Sequence, residues 1–327
     1  MIAFLLASCL EQVPLVDEPE LTIWRFTRTL ANEYYDGNDL FSDIWGVMKI
    51  ETPKGAYLIA ADPLWHRVLY SREGDKGNIY AFGTGTLLEP YDIAGKFPNI
   101  FITDQLKGMV AQYEMVDSAD GYSFRLKRWI GGATGTEPHL NWPKGIAYSD
   151  NGTPGALSDD YIYVVDIKLG KIFKFRVSDG EFASSKIAPV SLIHPIDIAI
   201  GKEVFGNQVR NTDSLYVLDQ MNFRIACLRD GDSSYFYEIK FRPITYLRSI
   251  DTDPCGRILV STSYESIHIF EILSLSPFMV DTCVFPGPPF NKIHDVYVSG
   301  IEVIVSERWT DNTGISLYRI TDECAPE

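Results

Sequence analysis

Hydrophobic residues along this chain cluster in short runs, and turn-forming residues separate one run from the next. Val, Ile, Tyr and Phe dominate these runs, as in Tyr161–Asp166 and Leu215–Asp219. No stretch sustains the 3.6-residue period that an amphipathic helix requires. Short runs of β-branched and aromatic residues between turns are typical of strands. The pattern therefore predicts an all-β protein.

A short pattern, Pro-x-(Asp/Gly)-Ile-Ala, recurs along the chain at intervals of 46 to 53 residues. The close copies are Pro90–Ala94, Pro143–Ala147 and Pro195–Ala199, and the weaker copies are Ile44–Met48, Leu247–Asp251 and Ile293–Tyr297. Two further hydrophobic runs follow each copy, and the first of them ends on Asp or Ser. Three or four short strands per repeat of about fifty residues are the signature of a β-propeller. Six copies predict a six-bladed propeller of four-stranded antiparallel blades.

The sixth repeat is too short to form a complete blade by itself, because only about 33 residues remain after its third position. The segment Leu21–Thr27 near the N-terminus alternates between polar and apolar residues like a strand. We expect this segment to supply the missing strand, which would join both ends of the chain in one sheet and cover an open edge. Residues 21–327 are thus predicted to form a single propeller domain.

Two of the repeats resemble the NHL repeat. The resemblance rests on Gly131–Ala147 followed by Tyr161–Asp166 and Gly170–Phe175, and on Leu215–Asp219 followed by Asn222–Ile225. It covers roughly residues 40–320 and implies a propeller fold. It implies no particular activity, because propellers carry many functions.

The first nine residues end in Leu6-Ala7-Ser8-Cys9, which resembles the bacterial lipobox, where cleavage before the cysteine leaves that residue to carry lipid. Residues 1–8 are therefore interpreted as a lipoprotein-type signal peptide, shortened at its start because no Lys or Arg precedes the apolar run. Residues 9–20 would form a tether. This interpretation predicts export to the periplasm or cell surface, with membrane contact only through a lipid on Cys9. The alternative is an N-terminus with an incidental cysteine.

Charge and cysteine content narrow the range of partners. The chain has 29 Lys+Arg against 44 Asp+Glu, a net charge of −15, which disfavours nucleic acid as a partner. Export would permit disulfides. The sequence does not choose among the pairings of Cys227, Cys255, Cys283 and Cys324, and buried free thiols are an alternative.

The third position of the repeat carries acidic residues in alternate copies. Read in order, it holds Gly46, Asp92, Gly145, Asp197, Ser249 and Asp295. Three carboxylates on alternate blades would converge on the propeller axis and could begin a Ca²⁺ site. The alternative is that each aspartate caps backbone N–H groups at the start of its own strand.

The second position of the repeat is predicted to surround the mouth of the central channel. It provides Trp45, Tyr91, Lys144, Arg248 and His294 as ligand contacts. Aromatic side chains and arginine are the usual anchors of ligands and partners. A solvated rim of mixed charge is the alternative.

No complete catalytic motif stands out in the sequence, so whether the protein is an enzyme is left open. The first hypothesis is an interaction or ligand-binding module that holds another protein or a small ligand at one propeller face. The alternative is a metal-dependent hydrolase or lyase acting in the central channel. The repeat also resembles that of amidating lyases, and this resemblance would imply zinc-binding histidines at the second position, where only His294 is present. Six-bladed lactonases bind calcium through a Glu/Asn/Asp set, which is not found at the equivalent places.

Overall fold

The structure is a computed structural model, and it describes residues 24–26, 44–73, 79–119, 121–132, 139–153, 157–186, 191–205, 208–230, 232–241, 246–262, 266–275, 278–284, 292–300, 302–308 and 313–319. The predicted signal peptide, Cys9 and the tether lie outside the described residues. No helix within the described ranges is long and apolar enough to cross a membrane.

Within these residues the chain forms 24 strands, which pair antiparallel into six four-stranded sheets. Strand β1 (Trp24–Phe26) comes first and joins the last sheet. The next two sheets consist of β2 (Val47–Ile50), β3 (Tyr57–Asp62), β4 (Arg67–Arg72) and β5 (Tyr80–Phe82), and of β6 (Pro90–Lys96), β7 (Asn99–Asp104), β8 (Met109–Ser118) and β9 (Gly121–Ile130). Short 3-10 turns lie at Pro63–Trp65, directly after β3, and at Gln220–Asn222, directly after Asp219.

The remaining sheets repeat the same order. They consist of β10 (Pro143–Ser149), β11 (Tyr161–Asp166), β12 (Lys171–Arg176) and β13 (Phe182–Lys186), of β14 (Pro195–Phe205), β15 (Gln208–Asp219), β16 (Arg224–Arg229) and β17 (Asp232–Lys240), and of β18 (Leu247–Thr252), β19 (Ile258–Thr262), β20 (Ser266–Leu275) and β21 (Phe278–Val284). The last sheet combines β22 (Lys292–Ser299), β23 (Glu302–Arg308) and β24 (Thr313–Arg319) with β1. There Trp24 pairs with Ile315, and Phe26 pairs with Thr313.

The innermost strand of each sheet begins at one of the six repeat copies. These strands contact one another in a ring, from β2 through β6, β10, β14, β18 and β22 and back to β2. The predicted all-β propeller of four-stranded antiparallel blades is therefore confirmed.

Hydrophobic residues pack between neighbouring sheets, which explains why the central strands are apolar on both faces. Ile59 and Ile102, for example, come from the first two consecutive sheets, are fully buried and belong to one cluster. Ile304 and Ile315 pack with Val47 and bring the last sheet against the first. Burial of each such side chain stabilises the fold by about 1.5–3 kcal/mol.

In several sheets the second strand ends in an aspartate, and this aspartate holds the backbone that leads into an innermost strand. Asp104 accepts hydrogen bonds from the N–H groups of Leu88 (2.7 Å) and Glu89 (3.1 Å), just before β6. Asp166 and Asp219 accept from the backbone before β10 and β14 in the same way. These carboxylates replace the solvent that the backbone loses on folding. Their role is structural, and it sets where the following residues stand.

Two cysteines differ in state. Cys227 is a buried thiol, whereas Cys255 forms a disulfide.

Candidate functional site at the central channel

The residues predicted to surround the channel mouth do come together. We call the face at which the innermost strands begin the start face, and we call Trp45, Tyr91, Lys144, Arg248 and His294 the mouth cluster. The Trp45 ring meets Tyr91 edge-on with 4.2 Å between centroids, and it stacks on His294 at 5.9 Å. The Nζ of Lys144 lies 4.5 Å from the centre of the Tyr91 ring. Ile196, at the equivalent position of the fourth repeat, is buried instead.

Hydrogen bonds between neighbouring sheets, each accepted by a backbone carbonyl, hold three members of the mouth cluster in place. The carbonyl of Trp45 accepts from Ser306 Oγ at 2.8 Å, and the carbonyl of Tyr91 accepts from the Gly46 N–H at 2.8 Å. The carbonyl of Lys144 accepts from Thr103 Oγ1 at 2.6 Å. Three members are therefore positioned by an adjacent sheet as well as by their own strand.

The third position of the repeat is an aspartate in the second, fourth and sixth copies. We call these three residues the aspartate ring: Asp92, Asp197 and Asp295. Each carboxylate accepts one hydrogen bond from the following residue and one from the innermost strand of the next sheet. For Asp92 the donors are the N–H groups of Ile93 (2.7 Å) and Ile146 (2.8 Å). For Asp197 and Asp295 the donors are Ile198 and Ile250, and Val296 and Val47, at 2.7–2.8 Å. The contacts agree with the alternative that each aspartate caps backbone N–H groups of its own strand. In addition, each aspartate accepts a hydrogen bond from the next sheet.

Glycines make room for this ring. A Cβ on Gly46 would lie 2.6 Å from the Cα of Asp92, and one on Gly145 would lie 2.4 Å from the Cα of Asp197. Ser249 takes the equivalent place beside Asp295, and its hydroxyl accepts a hydrogen bond from the N–H of Val296 at 2.7 Å. The alternation of small and acidic residues in the sequence is therefore a packing requirement.

Burial makes the aspartate ring unusually weakly acidic. Loss of solvent raises the pKa of Asp92 to about 7, although the N–H groups of Ile146 and Ile93 act in the opposite direction. Burial, together with repulsion from the other ring carboxylates, raises the pKa of Asp197 and of Asp295 well above the usual range. Burial therefore favours the neutral form of these carboxyl groups.

A cavity of about 260 Å³ lies on the axis, on the side of the aspartate ring away from the mouth cluster. All three ring aspartates line it, together with a fourth, Asp251, which the sequence analysis did not single out. Asp251 accepts hydrogen bonds from Thr252 (2.8 Å) and Val298 (2.6 Å), and burial raises its pKa to about 7. The fifth position of the repeat is alanine in the close copies but Asp251 and Tyr297 in two weaker ones, and that departure could have revealed both residues.

The mouth cluster contains a lysine with altered acidity. Burial lowers the pKa of Lys144, and repulsion from Arg248 lowers it further, to about 8. The carboxylates of Asp197, Asp92 and Glu89 act in the opposite direction. Burial likewise raises the pKa of Tyr91 well above its ordinary value.

The predicted calcium site receives no support from the side-chain geometry. In the part of the chain that the structure describes, no three His, Cys, Asp or Glu residues are arranged to hold a metal ion. Each of the six ring carboxylate oxygens already accepts a backbone hydrogen bond. Calcium binding by Asp92, Asp197 and Asp295 stays a prediction.

Exposed apolar side chains surround the mouth cluster on the start face. Of the twelve large hydrophobic residues exposed among the described residues, nine lie in connections at this face. We call them the apolar rim: Leu64, Trp65, Leu88, Leu106, Trp142, Leu169, Ile193, Met221 and Tyr246. The other three, Tyr80, Leu157 and Phe182, lie away from the start face. Sequence reasoning missed the rim because its members are scattered through turns.

Comparison with known proteins identifies the fold of this chain but no family. No family model matches the chain, and no curated protein matches it. Among solved structures, a protein from Lactobacillus plantarum aligns with a TM-score of 0.57 at 15% identity, covering 87% of this chain and 83% of that one. A gluconolactonase from Xanthomonas campestris gives 0.56 at 14%, with 85% and 88% covered. Virginiamycin B lyase from Staphylococcus aureus gives 0.54 at 14%, with 87% of each chain covered. At these identities the likeness shows the fold alone.

Proposed function

We propose that the protein is an enzyme of the hydrolase or lyase class, with its active site at the start-face mouth of the central channel. The observation that carries this proposal is the placement of Lys144 and Arg248 together, with Tyr91 and His294, next to the aspartate ring. Titratable groups that converge from several blades of a rigid scaffold are typical of active sites.

The mouth cluster has the parts of an acid–base site. A lysine with a pKa of about 8 is partly neutral near pH 7 and can accept a proton, from water in a hydrolysis or from carbon beside a carbonyl in an elimination. The guanidinium group of Arg248 would stabilise the negative oxygen that forms in either reaction. Solved structures with this fold include a gluconolactonase and a lyase, so the fold can house such chemistry.

Titration of Lys144 tests the proposal directly. Reductive methylation with ¹³C-formaldehyde labels the lysines, and the Lys144→Arg variant identifies the Lys144 resonance. We expect a midpoint near 8, which should rise in Arg248→Met because a repelling charge is gone. A midpoint at the ordinary value of 10.5, unaltered by Arg248→Met, would remove the base and with it the proposal.

The apolar rim favours a second candidate, a protein-interaction module. Exposed apolar residues concentrated on one face mark interaction sites more often than scattered ones do. Leu106 is 65% exposed and Met221 is 57% exposed, on the turns that follow β7 and β15 at the start face. A partner with a flat apolar surface would fit a rim of this kind.

Photo-crosslinking in cells can test this second candidate. A crosslinking amino acid at position 106 would report contacts of the start face, and one at position 157 would serve as an exposed control away from it. One protein adduct that forms only from position 106 supports the module. Equal labelling from both positions, or none from either, contradicts it.

We also infer that the six sheets are six blades of one closed propeller, with β1 as the last strand of the sixth blade. The antiparallel pairing of Trp24–Phe26 with Thr313–Ile315 and the contact of β2 with β22 support this closure.

Export and a lipid anchor on Cys9 are part of the proposal too. A disulfide at Cys255 suits an oxidising compartment. Cys9→Ser should move the protein from the membrane fraction to the soluble fraction, and an unchanged distribution would rule out the anchor.

A further inference from the structure

The side chain of Lys144 ends among aromatic rings rather than beside a carboxylate. Within the described residues its ammonium group forms no ion pair, whereas Lys49, Lys96 and Lys174 each contact a carboxylate at 2.6–2.8 Å. It lies instead 4.5 Å from the centre of the Tyr91 ring. A carboxylate partner would hold a lysine in its charged form. Without such a partner the neutral amine is easier to reach, and the neutral amine is a nucleophile.

The acidity of Lys144 agrees with this geometry. Burial lowers the pKa of Lys144, and repulsion from Arg248 lowers it further, to about 8. About one amine in ten is then neutral at pH 7. Lysines that act as nucleophiles in enzymes are activated in this way, by loss of solvent and by a neighbouring cation.

An unused donor stands on the same aromatic side chain. The indole Nε1 of Trp45 is buried, and it has no hydrogen-bond acceptor among the described residues. Buried N–H groups without an acceptor are uncommon and costly. The Trp45 ring meets Tyr91 edge-on with 4.2 Å between centroids, so the donor and the amine both border the Tyr91 ring. An oxygen atom of a ligand placed there would satisfy the indole N–H.

We propose that Lys144 forms an imine with the carbonyl group of a small aldehyde or ketone, and that Trp45 Nε1 donates to the carbonyl oxygen. The neutral amine adds to the carbonyl carbon, the π bond of the carbonyl breaks, and the oxygen takes one proton from the nitrogen. The indole N–H stabilises the negative charge that develops on this oxygen. The hydroxyl group and the second proton of the nitrogen then leave as water, and the C=N bond forms.

This inference rests on the function proposed above, because both use the neutral amine of Lys144 at the channel mouth. It gives that amine a different task, which is bond formation to carbon rather than proton transfer. It also names carbonyl compounds as the ligand class. The elimination considered above takes place beside a carbonyl, so the inference favours the lyase over the hydrolase.

The contact of Lys144 with Tyr91 has a structural explanation as well, because a lysine over an aromatic ring is stabilising by itself. The chain offers a matched control for that explanation. Lys168 lies 4.2 Å from the ring centre of Trp142 on the same face. Lys168 is exposed and Lys144 only partly so, and access alone would therefore favour reaction at Lys168.

The experiment traps imines on the full chain. The protein is equilibrated with propanal at pH 7, borohydride then reduces the imines present, and peptide mass spectrometry measures the propylated fraction of each lysine. We expect at least about ten-fold more propylation of Lys144 than of Lys168. Lys144→Arg should remove this product and leave the propylation of Lys168 unchanged.

The Trp45→Phe variant tests the donor, because it keeps an aromatic ring and removes the indole N–H. We expect propylation of Lys144 to fall at least about three-fold in this variant, with no change at Lys168. An unchanged yield at Lys144 would overturn the role of Trp45. If the variant fails to fold, the comparison of the two lysines in the wild-type chain still decides the imine.

Propylation of Lys144 at or below the level of Lys168 overturns the inference. If Lys144 titrates near 8 without preferential propylation, the base proposed above stands and the imine falls. If Lys144 is propylated preferentially but titrates at its ordinary value of 10.5, the imine site stands and the acid–base proposal falls.

Discussion

Single atoms decide whether neighbouring blades fit together at the channel. Gly145 has no side chain, and the backbone of Asp197 occupies the space where its Cβ would be. Because Asp197 in turn bonds to the N–H of Ile250 in the next sheet, a displacement at position 145 would spread around the ring. The glycine and the aspartate therefore act as one unit.

Replacing Gly145 by alanine should destabilise the protein by about 1–3 kcal/mol, because backbone atoms cannot move aside as a flexible side chain can. Gly85→Ala is the control. Its Cβ meets open space, and it carries only the cost of a positive φ of 76°, about 1 kcal/mol. Urea unfolding of both variants measures the difference. Equal losses would show that the close approach is unimportant.

Stability should fall as pH rises from about 4 to about 7. The folded chain holds a proton on Asp251 up to pH about 7, whereas an unfolded aspartate releases it near 3.8. Unfolding in this interval releases protons, so a higher pH favours the unfolded chain. Each unit of such a shift is worth about 1.4 kcal/mol.

The Asp251→Asn variant should flatten this pH dependence, because its amide stays neutral throughout. Melting temperatures at pH 4, 6 and 8 give the slope. Asp179→Asn is the control, since hydrogen bonding to Glu181 lowers the pKa of that exposed carboxyl and acts in the opposite direction. A parallel slope in Asp251→Asn and the wild type would contradict the assignment.

At the scale of elements, four of the six described innermost strands are joined to the next one by a side-chain hydrogen bond as well as by packing. The repeat spacing predicted these strands, because strand and turn residues recur with the same phase in every copy. It also predicted which side chains meet at the mouth, since position in the repeat fixes position around the axis. The repeat spacing could not predict that the carboxylate oxygens already accept hydrogen bonds, because some of the donors are backbone N–H groups of another sheet. Asp251 replaces the alanine found at the fifth position of the close copies, so it is visible only as a departure from the repeat, and the apolar rim lies in turns and leaves no periodic signal.

Calcium should have little effect on the melting temperature. A shared cation would stabilise the folded state by mass action. Each carboxylate oxygen of the aspartate ring already accepts a backbone hydrogen bond, so we expect the same transition with millimolar Ca²⁺ and with chelator. Asp197→Asn tests the same point, because removing a true ligand would abolish a calcium response. A rise of several degrees that disappears in Asp197→Asn would restore the metal site.

At the scale of the whole molecule, one strand from the N-terminal end sits in a sheet formed by the C-terminal end. Sequence counting predicted this pairing, because too few residues follow the last repeat copy for a full blade. Trp24–Phe26, within the predicted segment Leu21–Thr27, pairs with Thr313–Ile315. The exact partners could not be predicted, because period-two patterns fix which face a residue takes more firmly than its register.

Deleting residues 1–30 should destabilise the protein by on the order of 3 kcal/mol, because β24 would lose its partner and become an open edge. Deleting residues 1–20 leaves β1 in place and should change little. Thermal unfolding of the two truncated chains gives the comparison. If both melt with the full chain, the closure is wrong.

The alternation of small and acidic residues around the axis imposes an even count. A sheet with glycine or serine at the third position stands beside one with aspartate, three times in succession. Loss of a single repeat would bring either two aspartates or two small residues side by side. Two adjacent aspartates would lack the space that a small residue provides, and the hydrogen-bond pattern between the sheets would be interrupted. We therefore expect proteins of this architecture to gain or lose repeats in pairs, as doublets of about one hundred residues.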